Sequence, residues 1–121
     1  MNFDIKTEQI GGDAYVISLA GEVDLYTAPE FKQELFAAIA QGAKQVIVDL
    51  SETTFIDSTT LGVLVSGQKP LRLNGGQLSL VCSHPTITKI LTITGLDRVF
   101  KIYPNRVQAV EHLDALSGPP A

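Results

Sequence analysis

The segment KQVIVDL at residues 44–50 places three β-branched apolar residues, Val46-Ile47-Val48, between polar flanks. A strand with one wet face alternates apolar and polar residues. One that is apolar on both faces must be covered on both, which places it inside an α/β sheet. The rest of the fold has to be built around this strand. With 121 residues, the chain has room for one compact domain and no second of ordinary size. Its 45 % apolar content is enough for a real core and excludes disordered, collagenous and low-complexity classes.

The flanking segments supply the other elements. From Phe3 to Ile10 the residues alternate, with Phe3, Ile5 and Thr7 on one side and Asp4, Lys6 and Glu8 on the other. That predicts a half-exposed strand, turned at GGD (11–13) into a second strand, AYVISLAGEV, as an antiparallel hairpin. Thr27 to Gln41 predicts a helix with Thr27 as cap, Pro29 and Glu30 in the first turn, and Phe31, Leu35, Ala38 and Ile39 as its buried stripe. Gly42 can close it in a left-handed conformation.

After the central strand, SETTFID reads as a short loop, and a helix starts at about Ser58 with Leu61, Leu64 and Val65 inward. Pro70 lacks a backbone donor and disfavours helix at Lys69, so a kink or break is expected there, with a last turn before Asn74-Gly75-Gly76. QLSLVC (77–82) predicts a strand. A short helix follows over HPTITKILTITGL, with Pro85 near its start, a stripe of Ile87, Ile90 and Leu91, and Gly95 at its end. VFKIY (99–103) predicts a final strand. A closing helix over NRVQAVEHLDAL has Val107, Val110 and Leu113 or Asp114 facing alternately in and out. The order ββαβαβαβα predicts an α/β fold: a mixed, largely parallel sheet of about 4–5 strands with about 4 helices. The domain is expected over residues 1–116, with 117–121 (SGPPA) as a flexible tail.

The function classes narrow by elimination. A Walker loop, a dinucleotide fingerprint and a G-x-S-x-G elbow are all absent. Serine-hydrolase chemistry needs a histidine base. The two present, His84 before Pro85 and His112 in the closing helix, read as solvated loop or helix residues, and nothing in the sequence brings either to Ser58. Asp24, Asp49 and Asp57 offer carboxylates, and Asp49 could line the same edge as Asp57. A magnesium site asks for more convergent oxygens, so neither metal nor cofactor is expected. The single cysteine, Cys82, reads as a small buried hydrophobe. The formal charge is −4 and the cations are scattered, Lys69 and Arg72 being the nearest to a cluster, so no direct nucleic-acid partner is expected. MNFDIKTEQI contains no signal-type apolar segment, and no apolar run approaches the ~20 residues of a bilayer span. That predicts a cytoplasmic protein without a membrane partner.

The segment Asp57-Ser58-Thr59-Thr60-Leu61-Gly62 stands out. Asp57 or Ser58 can cap the helix, worth on the order of 1 kcal/mol. The segment follows the central strand, at the sheet edge where α/β folds display ligand and partner sites. Of Phe55 and Ile56, one is expected to anchor the loop from below and the other to be exposed. A phosphate on a hydroxyl here would add about −1.5 to −2 charges, which the helix amino terminus tolerates and a packed partner does not.

These residues carry a family resemblance. VIVDLSETTFIDSTTLGVLV resembles the signature region of STAS domains, specifically the bacterial anti-sigma factor antagonists. LAGEVDLYTAPEF and ILTITGLDRVFKIY are similar to further segments of that family, in the same order and across nearly the whole chain. The resemblance implies a binding module rather than an enzyme. Its unphosphorylated form binds an anti-sigma factor serine kinase and frees the sigma factor. Phosphorylation on Ser58 ends binding, and a PP2C-type phosphatase restores it. By the same resemblance Asp57 is the flanking acid, Thr59 the alternative acceptor, and Asp24 a partner-facing position. Pro70 departs from the family, whose helix runs on through basic residues at that point. A STAS module that is never phosphorylated, serving as a scaffold or transporter accessory subunit, is the alternative.

Overall fold

The computed structural model describes residues 3–116; the tail expected at 117–121 lies outside the described residues. The elements are β1 (Phe3–Gly11), β2 (Ala14–Val23), α1 (Ala28–Ala40), β3 (Gln45–Ile56), α2 (Ser58–Leu73), β4 (Gln77–Val81), α3 (Pro85–Ile93), a 3-10 turn (Leu96–Arg98), β5 (Lys101–Tyr103) and α4 (Arg106–Leu116). The sheet runs β1-β2-β3-β4-β5 in space. β1 and β2 are antiparallel, and every other pairing is parallel. The expected mixed α/β fold, the hairpin and the order of elements are therefore all present.

β3 is central and covered on both faces, as its apolar run requires. Val46, Val48 and Leu50 enter a large core with Ile17 and Leu19 of β2, Leu78 and Leu80 of β4, and residues of α1, α2 and α3. Ile47 points the other way, into a smaller cluster with Val16, Val81, Ala109 and Leu113 beneath α4. In α1, Phe31 and Leu35 are fully buried and Ala38 nearly so, with Ile39 packed against the same core. Gly42 takes the left-handed conformation (φ 97°) expected of it. Cys82 is buried, as expected.

Several expectations are corrected. SETTFI is not a loop: β3 continues through it to Ile56, pairing with β2 across register shifts. Thr53 makes this possible by turning inward, where its Oγ1 donates to the Leu19 carbonyl (2.9 Å). α2 does not break at Pro70 but runs through it to Leu73. The buried Leu71 and Gln68 on either side hold the last turns, with Gln68 Oε1 accepting from Leu78 N. Val65 faces out and Val63 is buried in its place, because the inner face of α2 is Thr60, Val63, Leu64, Gly67, Gln68 and Leu71. In α4 Val107 is exposed, while Ala109 and Leu113 face inward. Thr27 occupies the cap position of α1 but makes no side-chain cap bond, since its hydroxyl is turned back into the preceding loop.

Two glycines set how closely α2 can approach its neighbours. A β-carbon on Gly67 would lie 2.6 Å from Leu35 Cδ2 of α1. One on Gly76, just after α2, would lie 1.8 Å from the Lys44 carbonyl oxygen. At the sheet's outer edge, β1 carries a register shift between Gln9 and Gly11. Arg106 at the start of α4 pairs with Glu8 of β1, and Lys6 Nζ lies 3.2 Å from the same carboxylate.

Candidate phosphoacceptor site at the start of α2

β2 and β3 end side by side, Val23 paired with Ile56, and from this edge the chain enters the β2–α1 loop and the first turn of α2. Ile56 is buried and Phe55 is half-exposed, the division of roles expected for the pair.

Asp57 is the cap of α2. Its backbone is extended (φ −122°, ψ −176°), and its Oδ1 accepts from Thr60 N at 3.1 Å. Asp57 thereby satisfies one of the amides that a helix leaves unpaired at its start. Those of Ser58 and Thr59 have no acceptor among the described residues.

The three consecutive hydroxyls are not equivalent. Thr60 is fully buried, and its Oγ1 donates to the Val23 carbonyl at 2.8 Å, tying the helix start to the end of β2. Thr59 is half-buried and lines a surface groove of about 450 Å³ between α1 and α2, together with Leu25, Pro29, Lys32, Gly62 and Ser66. Ser58 is exposed, and its hydroxyl has no partner among the described residues. A run that looks uniform in sequence is thus sorted by helical phase into an anchor, a groove wall and an exposed, unpartnered hydroxyl. The anchoring role of Thr60 is invisible to hydrophobic periodicity, because a buried threonine reads as polar.

Asp24 lies on the neighbouring loop. Its Oδ1 accepts from Tyr26 N (2.9 Å) and Thr27 N (3.2 Å), and Thr27 Oγ1 accepts from Asp24 N (2.9 Å). Its carboxylate is therefore occupied in folding the loop, and it is only half-exposed. What that loop presents to solvent is apolar: Leu25 is 60 % and Tyr26 78 % exposed. Leu25 lines the same groove as Thr59, and with Tyr26 and Phe55 it leaves apolar surface exposed at the sheet edge that carries Ser58; of the three, only Phe55 is a candidate from the sequence. A Leu-Tyr pair directly after an acidic turn residue was the available signal.

Asp49 does not share this edge with Asp57. Alternation along β3 puts it on the α4 side, where its Oδ1 accepts from Ser51 N and the Ser51 hydroxyl. No group of three or more His, Cys, Asp or Glu side chains that could hold a metal occurs among the described residues. His84 is exposed at the cap of α3, with Nδ1 accepting from Thr86 N. His112 packs its ring against Tyr103, and burial raises the Tyr103 phenol above its usual range. Neither histidine contacts Ser58. No helix among the described residues is long and apolar enough to cross a membrane.

The STAS domain family matches residues 4–109. An anti-sigma-B factor antagonist of Listeria monocytogenes is 34 % identical over 102 residues, covering 84 % of this chain and 90 % of the relative. An anti-sigma factor antagonist of Mycobacterium paratuberculosis superposes with a TM-score of 0.83 at 28 % identity, over 92 % of this chain and 93 % of the other. The phosphorylated form of SpoIIAA, a Bacillus cell-fate determinant, superposes at 0.74 and 22 % identity, over 91 % of this chain and 99 % of the other, a likeness of fold. The chain belongs to the STAS domain family, among the anti-sigma factor antagonists.

Proposed function

We propose that the unphosphorylated protein binds an anti-sigma factor serine kinase through Leu25, Tyr26, Phe55 and the first turn of α2, freeing the sigma factor. The kinase switches it off by phosphorylating Ser58, and a PP2C-type phosphatase switches it on again. In the forward step Ser58 Oγ gives up its proton and takes the γ-phosphoryl group of ATP, with ADP leaving. The phosphatase hydrolyses the same ester. One observation carries this reading: of the three hydroxyls at the start of α2, Ser58 alone is both exposed and without a partner, so a kinase can reach it without disturbing Asp57 or Thr60.

The amides of Ser58 and Thr59 and the positive end of the helix offset a phosphate locally. A partner packed on Leu25, Tyr26 and Phe55 has no such compensation, and a dianion desolvated there costs several kcal/mol. Since every 1.4 kcal/mol is about tenfold in affinity, one phosphate suffices to release the partner. Asp57 adds like charge. Asp24 acts by holding Leu25 and Tyr26 in place, and Thr59 is the alternative acceptor.

The test is phosphate incorporation with the cognate kinase and ATP. Wild type and Thr59→Ala are expected to take one phosphate and Ser58→Ala none; phosphate on Thr59 would refute the assignment. Ser58→Asp is expected to remain folded and lose the kinase in calorimetry. Full affinity in that variant would sink the electrostatic switch and favour an unphosphorylated scaffold.

A further inference from the structure

The fold gathers cations that are dispersed along the chain. Lys69 and Arg72 lie on the outer side of α2, and Arg98 and Lys101 come to them from the 3-10 turn and the start of β5. Together they line two adjoining depressions of about 330 and 310 Å³, which share Gln68, Arg72 and Val99. Four of the chain's nine lysines and arginines thus stand on one surface of a protein whose formal charge is −4. Asp97 is the single acid lining it, and none of the four cations makes an ion pair among the described residues. The depression beside Lys69 and Arg72 is apolar, with Leu73 76 %, Val65 49 % and Val99 40 % exposed, whereas the adjoining one that holds Arg98 and Lys101 is mainly polar and shares Val99 with it. Gln68 lines both: its Oε1 accepts from Leu78 N (3.1 Å) and its Nε2 donates to the Val99 carbonyl (3.3 Å). The surface lies where β4 and β5 begin, the end of the sheet opposite Ser58.

We propose that this surface docks an acidic amphipathic helix of a protein partner. The partner's apolar stripe seats on Val65, Leu73 and Val99, and its carboxylates face Lys69, Arg72, Arg98 and Lys101. Val65 and Leu73 are eight residues apart on α2, about 12 Å, which matches roughly two turns of a helix laid alongside. Unpaired cations beside an apolar depression are the complement of such a helix, and they contrast with the negative charge of the chain as a whole. A single-stranded nucleic acid fits less well. It needs exposed aromatic faces for its bases, and Phe100, the only aromatic lining the surface, is buried. The proposal does not depend on Ser58, and both ends of the sheet can be occupied together.

The full chain, ¹⁵N-labelled, is titrated with three probes: a synthetic helical peptide with leucines on one face and glutamates elsewhere, the same peptide with lysines for glutamates, and oligo(dT). The glutamate peptide is expected to give saturable shifts at Val65, Lys69, Arg72, Leu73, Val99 and Lys101. Its affinity should fall when salt shortens the Debye length from about 10 Å to about 3 Å. Arg72→Gln with Arg98→Gln is expected to weaken it about tenfold, and so is Leu73→Ser, each with an unchanged melting temperature. Ser58→Asp is expected to leave it unaltered. Equal binding of the lysine peptide, preferential binding of oligo(dT), self-association through the same residues, or no shifts at this surface would each overturn the proposal.

Discussion

The two ends of α2 are held by different physics. At its carboxyl end hydrogen bonds are joined by a steric restraint: Gly76 N donates to the Leu71 carbonyl, and the Gly76 α-carbon lies so close to Lys44 that no side chain fits. At its amino end the restraint is polar: Asp57 caps Thr60, and Thr60 bonds Val23. A steric contact constrains every atom in reach. Two directed hydrogen bonds constrain only their own partners, and they leave Ser58 and Thr59, between Asp57 and Thr60, outside the restraint; of these two only Ser58 is exposed.

This contrast can be broken by substitution, and the largest effect belongs to the steric end. Gly76→Ala is expected to destabilise the fold by more than about 3 kcal/mol, through displacement of backbone that cannot yield. Chemical denaturation checks it, and a loss below 1 kcal/mol (roughly, as measured from midpoints) would show the two ends to be alike. Thr60→Val keeps the shape but leaves the Val23 carbonyl without its donor in a buried site, an expected cost of about 1–3 kcal/mol by the same measurement. Asp57→Ala removes the cap and is expected to cost about 1 kcal/mol.

A smaller effect is expected where β1 meets α4. The Arg106 guanidinium, followed by Lys6, holds the Glu8 carboxyl below its ordinary value of 4.5. Because the folded value is depressed, the stabilisation is present above the ordinary value and is lost as pH falls through the depressed one. Arg106→Gln is therefore expected to lower the neutral plateau of the melting temperature slightly, to leave the values below the depressed pKa unchanged, and so to flatten the acid limb. Ser58→Ala is expected to change least, within about 0.5 kcal/mol of wild type. A larger loss would mean that its hydroxyl belongs to the restraint rather than being spared by it.

The legible parts of the fold were those where apolar residues set the period. Val46-Ile47-Val48, the Phe31–Leu35–Ala38 stripe and the alternation of β1 each decided an element and its inward face. The less legible parts are set by polar or small residues that face inward. Thr53 carries β3 on through a segment that reads as loop. Thr60, Gly67 and Gln68 rotate α2 so that Val63 rather than Val65 is buried, because contacts at those positions are hydrogen bonds and close approaches. Pro70 predicts a kink or break because its missing donor is visible locally, whereas the burial of Leu71 that carries the helix on is tertiary. Ser58 was legible as a candidate because a helix start can be read from a few residues. The pair Leu25-Tyr26 after Asp24 is visible in the sequence, but its exposure is not, and the convergence of Arg98 and Lys101 on α2 required the chain to be folded first.

The outer strand has a further consequence. β1 is nine residues long and borders the sheet, so one side of its backbone offers unsatisfied donors and acceptors to any other extended chain, whereas β5 at the opposite border is only three residues long. Strand-to-strand aggregation would therefore start on β1. The irregularity at Gln9–Gly11 interrupts the template, and the exposed charge of Lys6 together with Glu8 penalises a stacked copy. Protection against strand-to-strand pairing thus rests on a few side chains of a strand that has no fully buried residue.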